Sequence, residues 1–507
     1  MSDHERAPQQ PSTGTGTGPG TGTVRTTVPA RLDRLPWSSW HWRIVIGLGT
    51  VWILDGLEVT LVGNMAERLA EPGSGIAITA AQVTGLGAAI YVAGACVGAL
   101  FFGWLTDRFG RRKLFLLTLA VYLVATALTA FSWTPWFFFL MRFVTGLGIG
   151  GEYAAINSAI DELIPSKFRG RIDIVINGSF WIGAFAGALL SMVFLRTENF
   201  PVDLGWRLAF GLGVFLGLVI LLVRRHVPES PRWLFIHGRD EEAETVVGEA
   251  EDAARARGSE LPPADQEISI KQRHSIGFVT IARTVFSRYP RRAFLGLALF
   301  IGQAFLYNAV TFGFATILVT FYDVPTADTG WHYAVIALGN FFGPLLLSHF
   351  FDSVGRKPMI SGTYILSGLL LFVTAWLFQQ DALSANTLTA CWTVALFFAS
   401  AGASSAYLTV SEVFPMETRA LAIAFFYAVG TAAGGISGPL LFASLTESGI
   451  RSETTLAFCI GAGLMVAAGL VEVFLGVKAE RRGLEDIATP LTAEQADSAS
   501  AGSRTRD

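Results

Sequence analysis

The stretch Gly103-Trp104-Leu105-Thr106-Asp107-Arg108-Phe109-Gly110-Arg111-Arg112-Lys113 joins two long apolar segments through a short basic turn that contains glycine. A second, less complete copy, Asp352-Ser353-Val354-Gly355-Arg356-Lys357, lies between two other apolar segments, 245 residues later. Another motif repeats at an offset of 250 residues, since Glu162, Pro165 and Arg169 return as Glu412, Pro415 and Arg419. Two independent motifs at nearly one offset predict an internal duplication, which is how many transporter folds are built.

The composition indicates a membrane protein. The chain has 507 residues, of which 52% are hydrophobic and only 15% charged, whereas soluble proteins carry about 25% charged residues. An apolar segment of about 20 residues can cross a bilayer as a helix. Twelve such segments predict an all-α membrane protein with two pseudo-symmetric six-helix bundles. The predicted spans are 42–66, 79–105, 114–131, 136–160, 172–195, 207–223, 293–321, 331–350, 359–378, 387–411, 420–445 and 454–477.

These spans divide the chain into five parts. Residues 42–223 and 293–477 form the two predicted bundles, and residues 224–292 form a linker between them. The charged run from Asp240 to Arg257 in the linker predicts a solvated helix. Residues 1–41, which begin with a Gly- and Thr-rich segment, and residues 478–507 are predicted to be disordered tails.

The orientation follows from the distribution of lysine and arginine among the short loops. One set of loops contains Arg108, Arg111, Arg112, Lys113, Lys167, Arg169, Arg171, Arg356, Lys357 and Arg419. The opposite set contains only Arg68, Arg196 and Arg451. Because positively charged loops stay in the cytoplasm, we expect a multi-pass protein of the plasma membrane with both termini and the linker inside the cell.

Several function classes find no support in the sequence. The net charge is −3, so a nucleic-acid partner is not expected. No Cys/His cluster has the spacing of a metal site, and no nucleophile–base pair or cofactor loop is evident. We therefore expect neither an enzyme nor a cofactor. The expected partners are the lipid bilayer, a small-molecule substrate and a proton, and the expected oligomeric state is a monomer.

The first basic turn resembles the signature between helices two and three of the major facilitator superfamily. The resemblance extends over roughly Trp42 to Val477, because the repeated turn and the repeated Glu/Pro/Arg motif belong to it as well. The string Pro228-Glu229-Ser230-Pro231-Arg232-Trp233-Leu234 is similar to the one that follows the sixth helix in sugar porters and their relatives. The resemblance implies a secondary active transporter that binds its substrate between two bundles and works by alternating access.

Two acids, Asp55 and Glu58, lie in the middle of the first predicted span, three residues apart and therefore on one helix face. A charged residue at the bilayer centre costs roughly 2.5–3.5 kcal/mol, so these acids predict a proton carrier, with a purely structural acid as the alternative. The fourth span contains Arg142 and Glu152, and an arginine there needs a partner in the bundle interior. The predicted proton-coupling residues are therefore Asp55, Glu58, Arg142 and Glu152.

The segment Asp55-Gly56-Leu57-Glu58-Val59 resembles the first helix of organic-acid and aromatic-acid proton symporters, and also that of the synaptic vesicle glycoprotein 2 branch. In sugar porters an arginine at the position of Arg142 faces the first-helix acid. The resemblance therefore implies that Arg142 pairs with Asp55 or Glu58. The glycines that follow Arg142 favour close helix packing over a nucleotide loop, because they lie inside an apolar span.

The predicted substrate site combines residues of the fifth and seventh spans with polar residues of other spans. Sugar porters have a sugar-binding glutamine at the position of Asn177, and often another at that of Ala184. Gln303 and Asn308 match their seventh-helix pattern, whereas Gly302 and Leu306 do not. With only half of this pattern present, the substrate can be an organic acid, an aromatic acid or a sugar. The predicted substrate-binding residues are Asn177, Gln303, Tyr307, Asn308, Asn340 and Tyr407.

Charged residues repeated in both halves predict a gate on the cytoplasmic side. The positive-inside rule accounts for the arginines but not for the acids at matching positions. We expect salt bridges between the halves when that side is shut, as the resemblance also implies. The predicted gate residues are Asp107, Arg108, Gly110, Arg111, Arg112, Glu162, Arg169, Asp352, Gly355, Arg356, Glu412 and Arg419.

Proton symport is the leading hypothesis, since titratable acids lie within a span and no nucleotide-binding domain is present. Efflux by proton antiport is an alternative, although the Gly-Pro motif typical of drug antiporters is missing from the fifth span. A receptor that does not transport is a second alternative on the same scaffold.

Overall fold

The fold was analysed in a computed structural model, which describes residues 23–224, 227–263, 268–271, 286–414 and 419–477. Twelve long helical segments run through these residues, six in each half. The first half contains α2 (Ser39–Ala70), α3 (Ala88–Phe109, preceded by a π-helix at Gln82–Gly87), α4 (Arg111–Ala130), α5 (Pro135–Leu163), α6 (Ser166–Phe194) and α7 (Val202–Arg224). A short helix α1 (Val28–Asp33) precedes them.

The second half repeats this arrangement. It contains α10 (Pro290–Tyr322), α11 (Thr329–Ser353), α12 (Arg356–Gln379), α13 (Ala385–Val413), α14 (Arg419–Thr431), α15 (Ser437–Glu447) and α16 (Arg451–Leu475). A π-helix at Ala432–Ile436 joins α14 to α15, so that the two form one continuous span. The helices confirm the predicted all-α class and the division into two six-helix bundles.

Eleven helices in the described part are long and apolar enough to cross a membrane. The twelfth, α5, has 29 residues, but Arg142 and Glu152 interrupt its apolar sequence. Several helices extend beyond the predicted spans, and α10 is 33 residues long. Such a helix exceeds the hydrocarbon thickness, because about 20 residues suffice to cross it. Its ends therefore reach into the interfacial layers.

Glycines allow α3 and α5 to approach each other closely in the first half. A Cβ atom on Gly146 of α5 would stand 2.0 Å from the carbonyl oxygen of Tyr91 on α3. The same holds for Gly150, where a Cβ atom would stand 1.8 Å from the carbonyl oxygen of Ala95. Contacts this short exclude any side chain, so these glycines serve helix packing, as the sequence predicted.

The two halves meet along a seam, the surface where α2 packs against α10, α3 against α14 and α15, and α6 against α11. The two ends of the seam are distinguished by the repeated basic turns. We call the membrane side with Gly110 and Gly355 the motif face. The side with Arg196 and Asp328 is the opposite face, where these two residues form an exposed ion pair of 3.4 Å between the halves.

The described residues of the linker form short helices and a strand, which pack against residues 23–34. It contains α8 (Pro231–Ile236), α9 (Asp240–Arg255) and strand β2 (Ile268–Lys271), which pairs antiparallel with strand β1 (Thr23–Thr26). Helix α9 buries Val247, Ala250 and Ala254 in a cluster that also includes Val28 and Leu32 of α1. The prediction of a fully solvated linker helix is therefore wrong for this face of α9.

An ion-pair cluster fixes the same contact. Glu251 of α9 accepts hydrogen bonds from Arg31 at 3.0 Å and from Arg34 at 2.7 Å. The prediction of a disordered tail through residue 41 is accordingly wrong for residues 23–41, because α9 supplies both an apolar and a charged partner that the tail sequence alone does not reveal. The hydrogen bonds of the two arginines lower the pKa of Glu251 to about 2.

Candidate functional site

A buried ion pair connects α2 with α5. The Nη2 atom of Arg142 donates a hydrogen bond of 2.8 Å to Oε1 of Glu58. Both residues are only 2% exposed. The pair lies in the interior of the first half. Either charge would be costly to bury there without the other. Of the two acids that the sequence offered as partners of Arg142, the structure places Glu58 against it.

Threonine hydroxyls complete the surroundings of this pair. Thr126 of α4 donates a hydrogen bond of 2.8 Å to Oε2 of Glu58, so each carboxylate oxygen has its own donor. The hydroxyls of Thr145 and Thr129 accept from Arg142 at 3.1 and 3.4 Å. The sequence carries no signal for these threonines, because a threonine in an apolar helix usually bonds to a carbonyl of its own preceding turn.

Aromatic rings cover the arginine. The guanidinium of Arg142 lies over the ring of Phe210 at 5.2 Å from its centroid and over that of Phe138 at 6.0 Å. Cation–π contacts at such distances stabilise a positive charge away from water. Arg142 is thereby held by three helices besides its own, and its position depends only in part on the ionised state of Glu58.

The other two predicted proton-coupling acids are buried as well. Asp55 is fully buried one helical turn before Glu58 on α2. Glu152 is also fully buried, and Thr118 of α4 donates to its Oε1 at 3.4 Å. Ten residues separate Glu152 from Arg142 on α5, which is about 15 Å along a helix. Glu152 is therefore too far from Arg142 to pair with it, whereas Asp55 shares a helix face with Glu58.

A second polar group lies in the other half. The hydroxyl of Tyr307 on α10 donates a hydrogen bond of 3.1 Å to Oδ1 of Asn340 on α11. The amide nitrogen of Asn340 donates to the Ile336 carbonyl, and its own backbone carbonyl accepts from Ser400 of α13. Asn340 is fully buried, whereas Tyr307 is half-buried. These contacts bring two predicted substrate-binding residues together.

The other four predicted substrate-binding residues differ in their hydrogen bonds and packing contacts. The amide of Asn177 donates to the backbone and side chain of Asp173, and that of Asn308 donates to the Ala304 carbonyl, each within its own helix. Tyr407 packs edge-on against Phe300. Gln303 is buried, and its side chain makes no hydrogen bond to the described part of the chain. The buried Oδ1 of Asn177 also lacks a hydrogen-bond partner there. Gln303 and the Oδ1 of Asn177 are therefore the groups best able to bind a ligand.

Aromatic side chains bridge the two halves near these polar groups. Trp181 of α6 and Tyr307 of α10 have ring centroids 5.4 Å apart. Nearer the motif face, Tyr153 of α5 meets Tyr427 of α14 edge-on at 5.1 Å, and Trp52 of α2 stacks on Tyr153 at 4.5 Å. The sequence does not mark Trp52, Tyr153 or Trp181 as site residues, because an aromatic residue in an apolar span is ordinarily part of the lipid-facing surface or the core.

The predicted gate residues occupy the ends of helices on the motif face. The guanidinium of Arg108 lies over the rings of Trp104 and Phe109, and Arg356 is buried at the start of α12. Ser230 of the linker donates a hydrogen bond to Glu162, and the backbone N–H of Arg112 donates to Glu229 at 3.1 Å. The side chains of Asp107, Arg111, Arg169, Asp352, Glu412 and Arg419 lie outside the described part of the structure.

The described contacts of Glu162 and Arg112 connect the first half with the linker. Both partners, Ser230 and Glu229, belong to the Pro-Glu-Ser-Pro-Arg-Trp-Leu string that was noted in the sequence. This string thus lies against the motif-face ends of α4 and α5. Among the described residues, no group of three or more His, Cys, Asp or Glu side chains could hold a metal ion.

Comparison with known proteins places the chain in a family. Residues 44–491 match the family model of sugar (and other) transporters. The niacin transporter NiaP of Acinetobacter baylyi is 27% identical over 463 residues, which cover 90% of this chain and 99% of that protein. The inner membrane metabolite transport protein YgcS of Escherichia coli is 27% identical over 433 residues, covering 84% of this chain and 89% of that protein.

Solved structures agree with this assignment at the level of the fold. The proton:xylose symporter XylE bound to 6-bromo-6-deoxy-D-glucose has a TM-score of 0.70 to this chain and 19% sequence identity, over 89% of this chain and 98% of that one. This likeness confirms the predicted major facilitator fold. The family match and the named relatives confirm the expectation of a transporter rather than an enzyme. The chain belongs to the sugar (and other) transporter family.

Proposed function

We propose that this secondary transporter is a proton-coupled symporter, which moves a small polar metabolite across the plasma membrane by alternating access. The observation that carries the proposal is the buried ion pair between Glu58 and Arg142. Its acid can take up a proton, and its arginine keeps its charge. A proton at this site therefore changes the charge of the bundle interior by one unit.

The proton changes what holds the helices together. When Glu58 is neutral, Arg142 loses its counter-charge and keeps only its threonine hydroxyls and the aromatic faces of Phe210 and Phe138. Loss of one partner of a buried pair costs roughly 3–5 kcal/mol. Conformations of a transporter differ by only a few kcal/mol, so this change is large enough to select between them. Pairing with Arg142 favours Glu58 over Asp55 as the proton carrier.

The substrate is proposed to bind between the halves, beside Gln303, Tyr307 and Asn340. The amide of Gln303 offers both a donor and an acceptor, and the lack of a hydrogen bond to the described residues supports its role in binding. Trp181 approaches Tyr307 from the other half, so a molecule bound here would contact both bundles. Contact with both bundles is what allows a substrate to influence the equilibrium between outward-open and inward-open states.

Among the substrate classes considered, we favour a small aromatic acid over a sugar. The site has few polar groups and several rings, and a planar ring can stack on tryptophan or tyrosine. The absence of glutamine at Asn177 and Ala184 agrees with this preference. Niacin, named for a relative that matches over almost its whole length, belongs to the same chemical class. A sugar stays the second candidate, because Gln303 and Asn308 are both present.

The motif face is proposed to lie in the cytoplasm, together with both termini. The excess of Lys and Arg in its short loops supports this orientation. The linker contacts of Arg112 and Glu162 lie on the same face, beside the repeated turns that contain Gly110 and Gly355. We propose that the repeated charged residues stabilise the state in which this face is closed, as a network rather than as separate pairs.

Uptake into proteoliposomes with an imposed proton gradient tests the proposal. Aromatic acids, including pyridine carboxylates, would be compared with sugars and dicarboxylates. One proton per substrate allows about tenfold accumulation for each pH unit of gradient. Glu58→Gln should lose this accumulation while still exchanging substrate across the membrane. Glu71→Gln is the control, because Glu71 pairs with Arg68 at the end of the same helix, away from Arg142. Accumulation that persists in Glu58→Gln would exclude Glu58 as the coupling acid.

A further inference from the structure

A cleft opens along the seam on the opposite face, separate from the ion pair of Glu58 and from Gln303. Its volume is about 190 Å³, which is room for about six water molecules. The first half contributes Glu67 of α2 together with Thr79 and Thr84, and the second half contributes Thr316, Thr446 and Glu447. The cleft therefore has one acid on each wall and hydroxyl groups between them.

Glu67 is half-buried and makes no ion pair with the described part of the chain. The neighbouring Arg68 is engaged elsewhere, with Glu71 at 2.5 Å and with the Leu195 carbonyl. Helix α10 and the π-helix that precedes α3 contribute no charged side chain to the cleft. The charged groups nearby on α2 are thus an arginine that is already paired and a second acid, Glu71.

The other wall offers no positive charge either. Glu447 at the end of α15 is exposed and makes no ion pair with the described residues. Arg451, at the start of α16, pairs with Asp381 at 2.8 Å. No lysine, arginine or histidine is among the residues that line the cleft in the described structure. When the cleft narrows, no cation among these residues offsets the cost of burying the charge of the Glu67 carboxylate.

A buried hydroxyl in the cleft lacks a partner. Thr446 is 2% exposed, and its Oγ1 makes no hydrogen bond within the described structure. A buried polar group of this kind normally binds water or a ligand atom. Water that enters a cleft lined by such hydroxyls can bring a proton to Glu67.

The walls are already in contact beside the cleft. A Cβ atom on Gly85, in the π-helix before α3, would stand 2.8 Å from the Cβ atom of Ala443 on α15. A contact this close between the first and second halves means that the seam is closed here. The carboxylate of Glu67 consequently lies where the two halves separate and rejoin during each transport cycle.

We propose that Glu67 is a second proton-binding site, loaded from the opposite face before the two halves close there. A carboxylate oxygen takes one proton from a hydronium ion in the cleft water. One O–H bond breaks in the hydronium ion, one forms on the carboxyl group, and a water molecule is left behind. The neutral acid can be buried without a counter-charge, whereas the carboxylate keeps the seam hydrated and open. This inference rests on the proposed symport, in which the opposite face is outside the cell and protons enter from there.

Spin-label distances across the cleft test the proposal without measuring transport. Labels are placed at Ala77 and Ser448, which are exposed and flank the cleft on opposite halves. The three native cysteines are first replaced by alanine. In the wild type the ratio of the short-distance to the long-distance population should rise about fivefold between pH 8 and pH 5.5. In Glu67→Gln the ratio should already be high at pH 8 and change less than about twofold.

Glu198→Gln is the matched control, since Glu198 is an exposed acid on the same face outside the cleft. It should behave as the wild type does. Glu67→Ala also removes the charge, so it should reproduce Glu67→Gln and guard against a folding defect in one variant. A pH response in both Glu67 variants that equals that of the wild type would overturn the proposal, and so would a wild type whose distances do not depend on pH.

The two proposals fail in different experiments. If the wild type accumulates substrate under a proton gradient and Glu58→Gln does not, symport stands even when the distances do not respond to pH. If the wild type accumulates nothing under any gradient, symport fails. The distance measurement alone then decides whether Glu67 controls closure.

Discussion

Gly110 and Gly355, which lie 245 residues apart in the repeated basic turns, have nearly the same backbone conformation. Gly110 has φ 90° and ψ 157°, and Gly355 has φ 117° and ψ 155°. Each residue immediately precedes a spanning helix, α4 in the first half and α12 in the second. The repeat in the sequence is thus also a repeat in geometry, which supports the duplication that the spacing predicted.

This conformation is accessible almost only to glycine. We expect Gly355→Ala to lower stability by roughly 1–3 kcal/mol. Gly110→Ala should cost more, because its Cβ atom would stand 2.7 Å from Oε2 of Glu229. Gly362→Ala is the control, since Gly362 lies inside α12 with open space around it and alanine favours a helix. The thermal inactivation rate in detergent measures the effect, and equal rates for Gly355→Ala and Gly362→Ala would contradict it.

Thr126 donates to the oxygen of Glu58 that Arg142 does not bind. Thr126→Val keeps the shape and removes the hydroxyl, which favours the neutral form of Glu58 relative to the carboxylate. Loss of a hydrogen bond worth ~1 kcal/mol should lower the proton concentration for half-maximal uptake about fivefold. The pH profile of uptake therefore moves toward higher pH. Exchange of substrate between saturated compartments should not change. The measurement is initial uptake as a function of pH.

Thr374→Val is the control for this substitution. The Thr374 hydroxyl donates only to the Leu370 carbonyl of its own helix, in the other half. If both variants shift the pH profile equally, or if neither does, then the hydroxyl of Thr126 does not act on the protonation of Glu58.

Gln303 is a buried residue of the predicted substrate site whose side chain makes no hydrogen bond to the described residues. Gln303→Leu should therefore raise the substrate KM about tenfold, as the loss of one or two hydrogen bonds to the substrate implies. The maximal rate should change by less than about threefold, because the proton site is untouched. Gln380→Leu is the control, since Gln380 is exposed at the end of α12. A KM equal to that of the wild type would exclude a direct contact.

Glu251 joins the linker to the N-terminal segment through Arg31 and Arg34. Its pKa is lowered to about 2 from an ordinary value of 4.5, mainly by the hydrogen bond from Arg31. A lowered pKa in the folded state contributes stability that is present above pH 4.5 and is lost as the pH falls toward 2. We expect the docking of α1 on α9 to weaken in this window.

Glu251→Gln should weaken the docking already at neutral pH, by roughly 1–3 kcal/mol after allowance for partial solvent exposure of the arginines. Hydrogen exchange at pH 7 should then be faster in α1 and α9, with the spanning helices unchanged. Glu249→Gln is the control, because Glu249 is exposed on the same helix. Unchanged exchange in α1 would show that the apolar cluster around Val28 and Val247 suffices for docking.

Apolar run length and the repeated motifs were enough to predict the helix count and the two halves. Apolar run length predicts the helices because membrane insertion depends on the hydrophobicity of each segment, which is a local property. The docking of α1 on α9 was missed for the opposite reason. Val247 and Glu251 occur in a strongly charged helix, and their burial depends on a partner that is more than 200 residues away in the sequence.

The candidate site was predictable only in part. A buried acid and a buried arginine had to find partners, and Glu58 and Arg142 did. Their threonine neighbours and the contact between Trp181 and Tyr307 depend on which helix faces pack together, and periodicity does not encode that choice. The predicted proton-coupling residues are also not all in contact, since Glu152 binds Thr118 rather than Arg142. Residue type thus indicated the chemistry, and helix packing decided the partners.

Tyr153 and Tyr427 are the aromatic contact between the halves that lies nearer the motif face. Trp52 stacks on Tyr153, and Tyr407 lies tilted to Tyr427 at 6.3 Å, so each tyrosine is supported within its own half. Separation of the halves on this side must break the contact, which is worth about 0.5–1.5 kcal/mol beyond its buried area. The contact therefore stabilises the state in which the motif face is closed.

Tyr427→Ala should shift the equilibrium toward the state open on the motif face, whereas Tyr427→Phe keeps the ring and should behave as the wild type does. A loss of ~1.4 kcal/mol changes the population ratio about tenfold. A cysteine is placed at Gly178, where the structure leaves open space. In Tyr427→Ala, a thiol reagent added to the motif face should modify this cysteine about tenfold faster. Modification from the opposite face should slow, because the two faces open in alternation. Equal rates in the alanine and phenylalanine variants would show that the ring contact does not hold this side closed.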